Sequence, residues 1–244
     1  MRNLQIFLLI LIIIGLGLIF TRDKWVPKLV DVIISSESSN ETKSSPIEIT
    51  SIDIKEENFA GKKPVFSGDG VLVSESNKYI ENVVAEFKKQ ADEDVPEMRK
   101  QFWKDNPTAN YSIDITAKEV RGHLTTALVL SVYTYTGGAH GSSYYKVFNI
   151  LTNTDQLISL SDAIRTDKQL EFTNLAKKEL NAWRPDNTVA VFPEDVNALT
   201  FTSFKNWTLD KENLTVYFDQ YEIGPGVLGA VAFPIPLSKL PDFF

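Results

Sequence analysis

The hydrophobic positions of this 244-residue chain follow three successive rhythms. Ile6 to Phe20 is apolar without interruption, with Arg2 before it and Arg22 and Lys24 after it. A helix rises about 1.5 Å per residue and a bilayer core needs roughly 20 apolar residues, a length the run approaches when Leu4 to Thr21 is counted. No small-residue cleavage site follows, since Thr21-Arg-Asp-Lys-Trp25 is a poor substitute for one, and no cysteine is present to carry a lipid. Residues 1–21 are therefore expected to form an uncleaved signal anchor, a single N-terminal transmembrane helix. Arg2 and the free amine would lie inside and everything after Thr21 outside. Residues 22–46 read as a juxtamembrane segment, with Trp25 at the lipid interface, and a Ser-rich linker too polar to order itself.

Beyond Pro46 the rhythm becomes short and β-like. Ile47, Ile49, Ile52 and Ile54 change phase between Ile49 and Ile52, which predicts a strand with a bulge or bend near Thr50-Ser51. Phe59–Gly70 reads as loop with a short strand around Val65-Phe66. From Ser76 the pattern is helical, with Ile80, Val83, Val84, Phe87 and Ala91 on one stripe. Asp92-Glu-Asp94 is expected to break that helix, Pro96 to open a second short one, and Asn106-Pro107 to stop it. Tyr111, Ile113 and Ile115 alternate, Leu124–Tyr135 is a long β segment, and Tyr144–Leu151 returns on it. Leu157–Leu160 reads as a short strand. Thr166 and Gln169 suggest a capping box for a helix burying Leu170, Leu175, Leu180 and Trp183. Trp207 to Phe218 forms a hairpin and Val227–Ile235 a last strand. Hairpins dominate and strands do not alternate regularly with helices. The expected class is α+β, a mostly antiparallel sheet with helices packed on one face.

Charge and composition narrow the functions. The chain carries −7 overall, but the stretch up to Lys28 is +3, leaving −10 on the remainder. An acidic domain excludes nucleic acid as the expected partner, because phosphates are neutralised by Lys and Arg. The same charge suits a basic partner, though it is also simply what keeps a protein soluble. Neither cysteine nor any spacing between His123 and His140 points to a metal, so no cofactor is expected.

Two stretches carry the candidate chemistry. In the first, Tyr133-Thr-Tyr135 runs into Gly137-Gly138-Ala-His140-Gly, a corner rich enough in glycine to permit positive φ. It either presents His140 to a ligand or uses the imidazole to cap backbone groups. The second is Phe218-Asp-Gln-Tyr221-Glu222-Ile-Gly-Pro225-Gly. Alternation places Asp219 and Glu222 on opposite strand faces, so they do not form the facing carboxylates of an acid–base pair. Tyr135 and Tyr221 suit interface anchors, offering large area at low entropic cost. Ser142 and Ser143 sit near His140, but no nucleophile motif surrounds them.

In combination, Tyr135–His140 and Phe218–Pro225 resemble the extracytoplasmic domain of unknown function shared by RsiV-like anti-sigma factors and PdaC-like peptidoglycan deacetylases. The likeness runs from about Ile47 to Leu240, as a first half over 47–117 and a second over 118–244. It implies a wall-facing module of the bacterial cell membrane that binds rather than catalyses. With no space in the chain for a deacetylase domain or a cytoplasmic anti-sigma segment, neither activity is expected. The implied partners are wall glycan or a basic lysozyme-type protein. The implied binding residues are Tyr133, Tyr135, Gly137, Gly138, His140, Tyr221, Glu222 and Pro225. A hydrolase acting on wall glycan and a structural envelope protein remain the alternatives.

Overall fold

A computed structural model describes residues 46–106, 108–152, 154–185 and 190–244. The expected transmembrane helix and linker lie outside these residues. Among the described residues no helix is long and apolar enough to cross a membrane.

Five strands form the first sheet: β1 (Glu48–Lys55), β2 (Phe59–Ser67), β3 (Tyr111–Arg121), β4 (Thr125–Tyr135) and β5 (Ser142–Leu151), adjacent in that order. Every pairing is antiparallel except β2 with β3, which run parallel because the helix α1 (Val71–Gln101) carries the chain across between them. Three further strands, β6 (Asn206–Leu209), β7 (Asn213–Phe218) and β8 (Val231–Pro236), make a second antiparallel sheet. In chain order, the short helix α2 (Leu160–Ala163), then α3 (Gln169–Ala182) and α4 (Pro193–Ala198) come between the two sheets. The α+β class with mostly antiparallel strands is thus what the chain adopts. The expected single sheet is two.

β4 is the spine. Its Ala127-Leu-Val-Leu130 run is apolar on both faces because both faces are covered. Leu128, Leu130 and Val132 meet α1 residues Ile80, Phe87, Ala91 and Val95 in the larger core. Ala127 and Val129, on the opposite face, pack with Val147 and with Tyr217 of β7. Helix α3 belongs to the second sheet. Phe172 stacks edge-on against Phe204, and Phe204 lies 6.1 Å from Phe218, while Trp183 meets Phe233 at 5.5 Å.

Several local expectations are corrected. Helix α1 is one 31-residue helix that begins before Ser76 and passes through both supposed breaks. Asp92 does not end it, because its carboxylate is engaged sideways by Asn58 Nδ2 at 2.9 Å and Lys88 Nζ at 3.1 Å. Pro96 removes one backbone bond, but Val95 is buried immediately before it and Arg99, beyond it, is tied to Ala109 O and Glu57 O. β2 is a full nine-residue strand rather than a loop, since every residue from Ala60 to Ser67 finds a partner on β1. That ladder is unbroken at Thr50↔Val65 and Ser51↔Pro64, so there is no bulge. The change of phase is instead Ile52, which is 45% exposed on the regular ladder. The parallel pairing with β3 ends at Lys62, beside Gly61, whose backbone (φ 159) passes so close to Ile113 that a Cβ there would lie 1.6 Å from its carbonyl oxygen.

In the second half, Leu157 makes only a single bridge to Ile150, and Leu160 opens α2 under a capping box formed by Ser159 and Asp162. Thr166 starts a 3₁₀ turn that leads directly into α3, and Leu170 is 73% exposed while Phe172, Ala176 and Leu180 are buried. Val227 lies on a 3₁₀ turn, 78% exposed, and the last strand begins only at Val231.

The outer edge of β5 is closed by side chains of the second sheet rather than by a strand. Asn206 Oδ1 accepts from Val147 N at 3.1 Å and its Nδ2 donates to Tyr145 O at 2.9 Å. Asp219 Oδ1 accepts from Tyr145 N at 3.0 Å, and Gln220 Oε1 from Ser143 N at 3.0 Å. Asn206→Leu keeps the branching of this buried side chain but strands one N–H and one carbonyl. We expect a loss of about 2–4 kcal/mol in urea unfolding, the cost of two unpartnered backbone groups.

Candidate functional site

The corner between β4 and β5 and the loop after β7 meet at one end of the seam just described. Both are turns whose geometry depends on glycine. Gly137 sits at φ 85, and a Cβ there would lie 2.5 Å from the Trp103 ring, so the absent side chain lets the corner close onto the end of α1. The Tyr133 ring lies over Gly141 in the same way; a Cβ on that glycine would fall 2.3 Å from the ring's Cζ. Gly138 faces open space, and Tyr135 is half-buried at the end of β4.

From the other side, Gln220 N donates to Ser143 O at 2.9 Å while its side-chain Nε2 donates to Gly226 O at 2.9 Å. This staples the loop to β5 and to itself. Ile223 is buried beneath the loop and its carbonyl accepts from Phe192 N. Pro225 precedes the 3₁₀ turn at Gly226–Leu228. The fixed loop leaves Tyr221 at φ 71, a conformation that costs a bulky residue energy and persists only where surroundings enforce it. Its ring covers Gly226, where a Cβ would lie 2.4 Å from Cζ.

Tyr221 and His140, 81 residues apart, are thereby brought together. The Tyr221 hydroxyl lies 3.1 Å from His140 Nε2 and the ring centroids are 6.2 Å apart. His140 Nδ1 is 2.9 Å from Gly141 O. A carbonyl can only accept, so Nδ1 carries the proton, and in the neutral imidazole Nε2 accepts from the Tyr221 hydroxyl. The backbone-capping reading of His140 is thus what the structure shows at Nδ1, while Nε2 is occupied by the Tyr221 hydroxyl. Tyr221 is 53% exposed and Tyr133 40%, so this end of the molecule presents two tyrosines and a histidine to solvent, with Val227 beyond them.

Glu222 is not part of that pair. Its Oε2 accepts from Asp219 N at 2.8 Å, half-buried behind the loop. Burial pushes its carboxyl above the ordinary 4.5; the bond from Asp219 N pulls it down, the Asp219 charge pushes it up, and Lys205 opposes. Among the described residues no three His, Asp or Glu side chains gather to hold a metal ion.

Sequence reasoning missed the parts that position the site. Asn206 and Gln220 carry no motif; the available signal was an amide inside an apolar β stretch, where Asn is depleted unless it has a bonding task. It also missed the hydrogen-bonded hydroxyl pair of Tyr79 and Tyr144.

Residues 48–143 match the family model "Deacetylase PdaC", and residues 153–238 match "Protein of unknown function (DUF3298)". The chain is 25% identical over 193 residues to the peptidoglycan-N-acetylmuramic acid deacetylase PdaC of Bacillus subtilis, covering 78% of this chain and 39% of that protein. It is 27% identical over 137 residues to an esterase of Mycobacterium tuberculosis, covering 54% of this chain and 59% of that protein. It thus spans less than two thirds of either relative. Among solved structures, it resembles a DUF3298 family protein from Bacteroides fragilis, with TM-score 0.54 and 19% identity over 81% of this chain and 93% of that one. A second, from Pseudomonas aeruginosa, has TM-score 0.50 and 18% identity over 82% and 95%. These two likenesses speak to the fold.

Two outcomes follow from the geometry. Gly226→Ala drives its methyl into the Tyr221 ring and separates Tyr221 from His140. The His140 ring protons should shift in the NMR spectrum, with a stability loss of about 1–3 kcal/mol. Glu222 titrates higher folded than unfolded, so its contribution to stability is complete below pH 4.5 and is lost as pH rises through the folded value. Glu222→Gln keeps an acceptor for Asp219 N and removes that slope. Thermal melts of the variant should fall less than the parent's between acidic and neutral pH.

Proposed function

Since the chain carries a PdaC-like half followed by a DUF3298 half, together a domain of unknown function related to the cell envelope, we propose that it is an extracytoplasmic binding module whose recognition edge is the Tyr221–His140 corner. The Ile6–Phe20 segment would anchor it, and the acidic domain would face a basic, lysozyme-type protein. The observation that carries this reading is Tyr221 itself. A large aromatic is kept in a costly left-handed conformation, exposed, and clamped by the imidazole of a second loop. Such an arrangement does little for a core and suits a rigid anchor that enters a partner's cavity with little entropy left to lose.

The chemistry at the corner favours binding over turnover. The group on His140 Nε2 is a phenol, not a serine, and Glu222 is directed to the Asp219 backbone instead of to the imidazole. The esterase named among the relatives motivates a second reading, a hydrolase centred on His140. It requires turnover of a simple acetyl ester by the purified chain that disappears in His140→Ala.

The test is titration of the full chain with hen lysozyme at low and moderate salt. We expect saturable, stoichiometric binding that survives moderate salt, weakened by about 2 kcal/mol, roughly 30-fold, in Tyr221→Ala and less in His140→Ala. Binding that vanishes once the Debye length falls to about 8 Å would be charge attraction alone and would sink the proposal.

A further inference from the structure

A groove runs along α3, walled on the other side by Leu199, Thr200 and Phe201. It holds about 470 Å³, within the range of roughly 300–1,000 Å³ usual for ligand sites. Its helix wall is one face of α3 and the turn before it, Thr166, Gln169, Leu170, Thr173, Asn174 and Lys177, spaced three and four apart. The floor is fixed by the core beneath. Thr173 and Leu199 are buried, and the half-buried Phe201 ring meets the core ring of Phe172 edge-on at 6.0 Å. Leu170, 73% exposed on an otherwise well-packed helix, belongs to the rim of this groove. Lys177 lies two turns further on, about 10 Å along the helix axis.

We propose that this groove binds the carboxyl-terminal end of an extended peptide, about three residues long and apolar in its side chains. Charge carries the first part. Lys177 is the single charged residue in the lining, on a chain that is acidic overall. Its ammonium donates to Asn197 O at 2.8 Å, which uses one of three N–H groups. Lys168, just before the same helix, is neutralised by Glu171 at 2.8 Å, whereas no carboxylate among the described residues is paired with Lys177. A ligand carboxylate supplies the missing partner. Length carries the second part. An extended chain advances about 3.3–3.6 Å per residue, so the span from Lys177 to Leu170 takes about three residues. The apolar surface of Leu170, Leu199 and Phe201 then receives the side chains. Polarity carries the third. Gln169, Asn174 and Thr200 offer donors and acceptors suited to peptide amides, and a plain acyl chain would cover them without pairing them.

The groove shares no residue with the Tyr221–His140 corner, and the proposal stands whether or not the corner binds a protein. The probe is N-acetyl-alanyl-leucyl-leucine, titrated into the full chain by calorimetry and followed by amide NMR. Expected is saturable binding with shifts at Leu170, Asn174 and Phe201. The same peptide as its carboxamide should bind about tenfold or more weakly, as loss of one charge-assisted hydrogen bond implies. Lys177→Gln keeps a donor for Asn197 O. It should weaken the acid about tenfold and leave the carboxamide unchanged, a split that a merely structural lysine would not give. Leu170→Ser, at an exposed position, should weaken acid and carboxamide alike, by about threefold or more. Octanoate, with the charge but no amides, should bind several-fold more weakly than the peptide. Absence of saturation at about 10 mM peptide overturns the proposal. So does equal binding of acid and carboxamide, or octanoate binding as tightly as the peptide. Loss of peptide binding in Tyr221→Ala with Lys177→Gln unaffected would move the peptide to the corner and overturn it as well.

Discussion

The open edge of β5 is the constraint on which the two halves of the molecule depend. An edge strand presents a row of unpaired N–H and C=O groups that must be satisfied or shielded. Here Ser143, Tyr145 and Val147 are met by Gln220, Asp219 and Asn206. Side chains can close such an edge only from a fixed distance and angle. The seam therefore dictates where β6 and the end of β7 lie, and with them the whole second sheet. Thr125 Oγ1 bonding Leu209 O at 3.0 Å and Asn149 Nδ2 bonding Trp207 O at 2.8 Å extend the same logic along the face.

The functional geometry is a by-product of that seam. Asp219 and Gln220 are spent on β5, so the next residue must turn away sharply, and it does so at positive φ. The strained residue is Tyr221, and the nearest exposed structure is the glycine corner that precedes β5. A tyrosine with an imidazole on its hydroxyl is the result. The carboxylate that follows, Glu222, is consumed in closing the turn. This explains why a Tyr-Glu pair beside a histidine, suggestive of acid–base chemistry in one dimension, does not assemble a dyad in three.

The molecule thus offers two chemically different surfaces at the same end of its main sheet. One is a rigid aromatic point held by backbone strain. The other is an elongated cleft along a helix stripe that carries Glu86, Lys89 and Glu93. The long, uninterrupted α1 is what makes the cleft possible, since a break at Asp92–Pro96 would have truncated its wall at Gln90 and Glu93.

The class of the fold, the central strands β3–β5 and the glycine corner that follows Tyr135 were legible in the sequence alone. Each rests on local signals: alternation of apolar residues, glycine at a corner, a hydrophobic stripe at helical spacing. Local signals also misled where packing overrode them. Asp92 and Pro96 look like a helix end, but Val95 is buried beyond Asp92 and Arg99 is tied to Ala109 O and Glu57 O beyond Pro96. Leu170 looks like core, but the stripe that α3 buries is set by Phe172, Ala176 and Leu180. What no window of sequence contains is the pairing of groups dozens of residues apart. Asn206 with Tyr145 and Val147, Tyr221 with His140, and Tyr79 with Tyr144 exist only once two sheets and a helix are packed. Hydrogen-bond partners are chosen by distance in space, and the chain alone records only distance along itself.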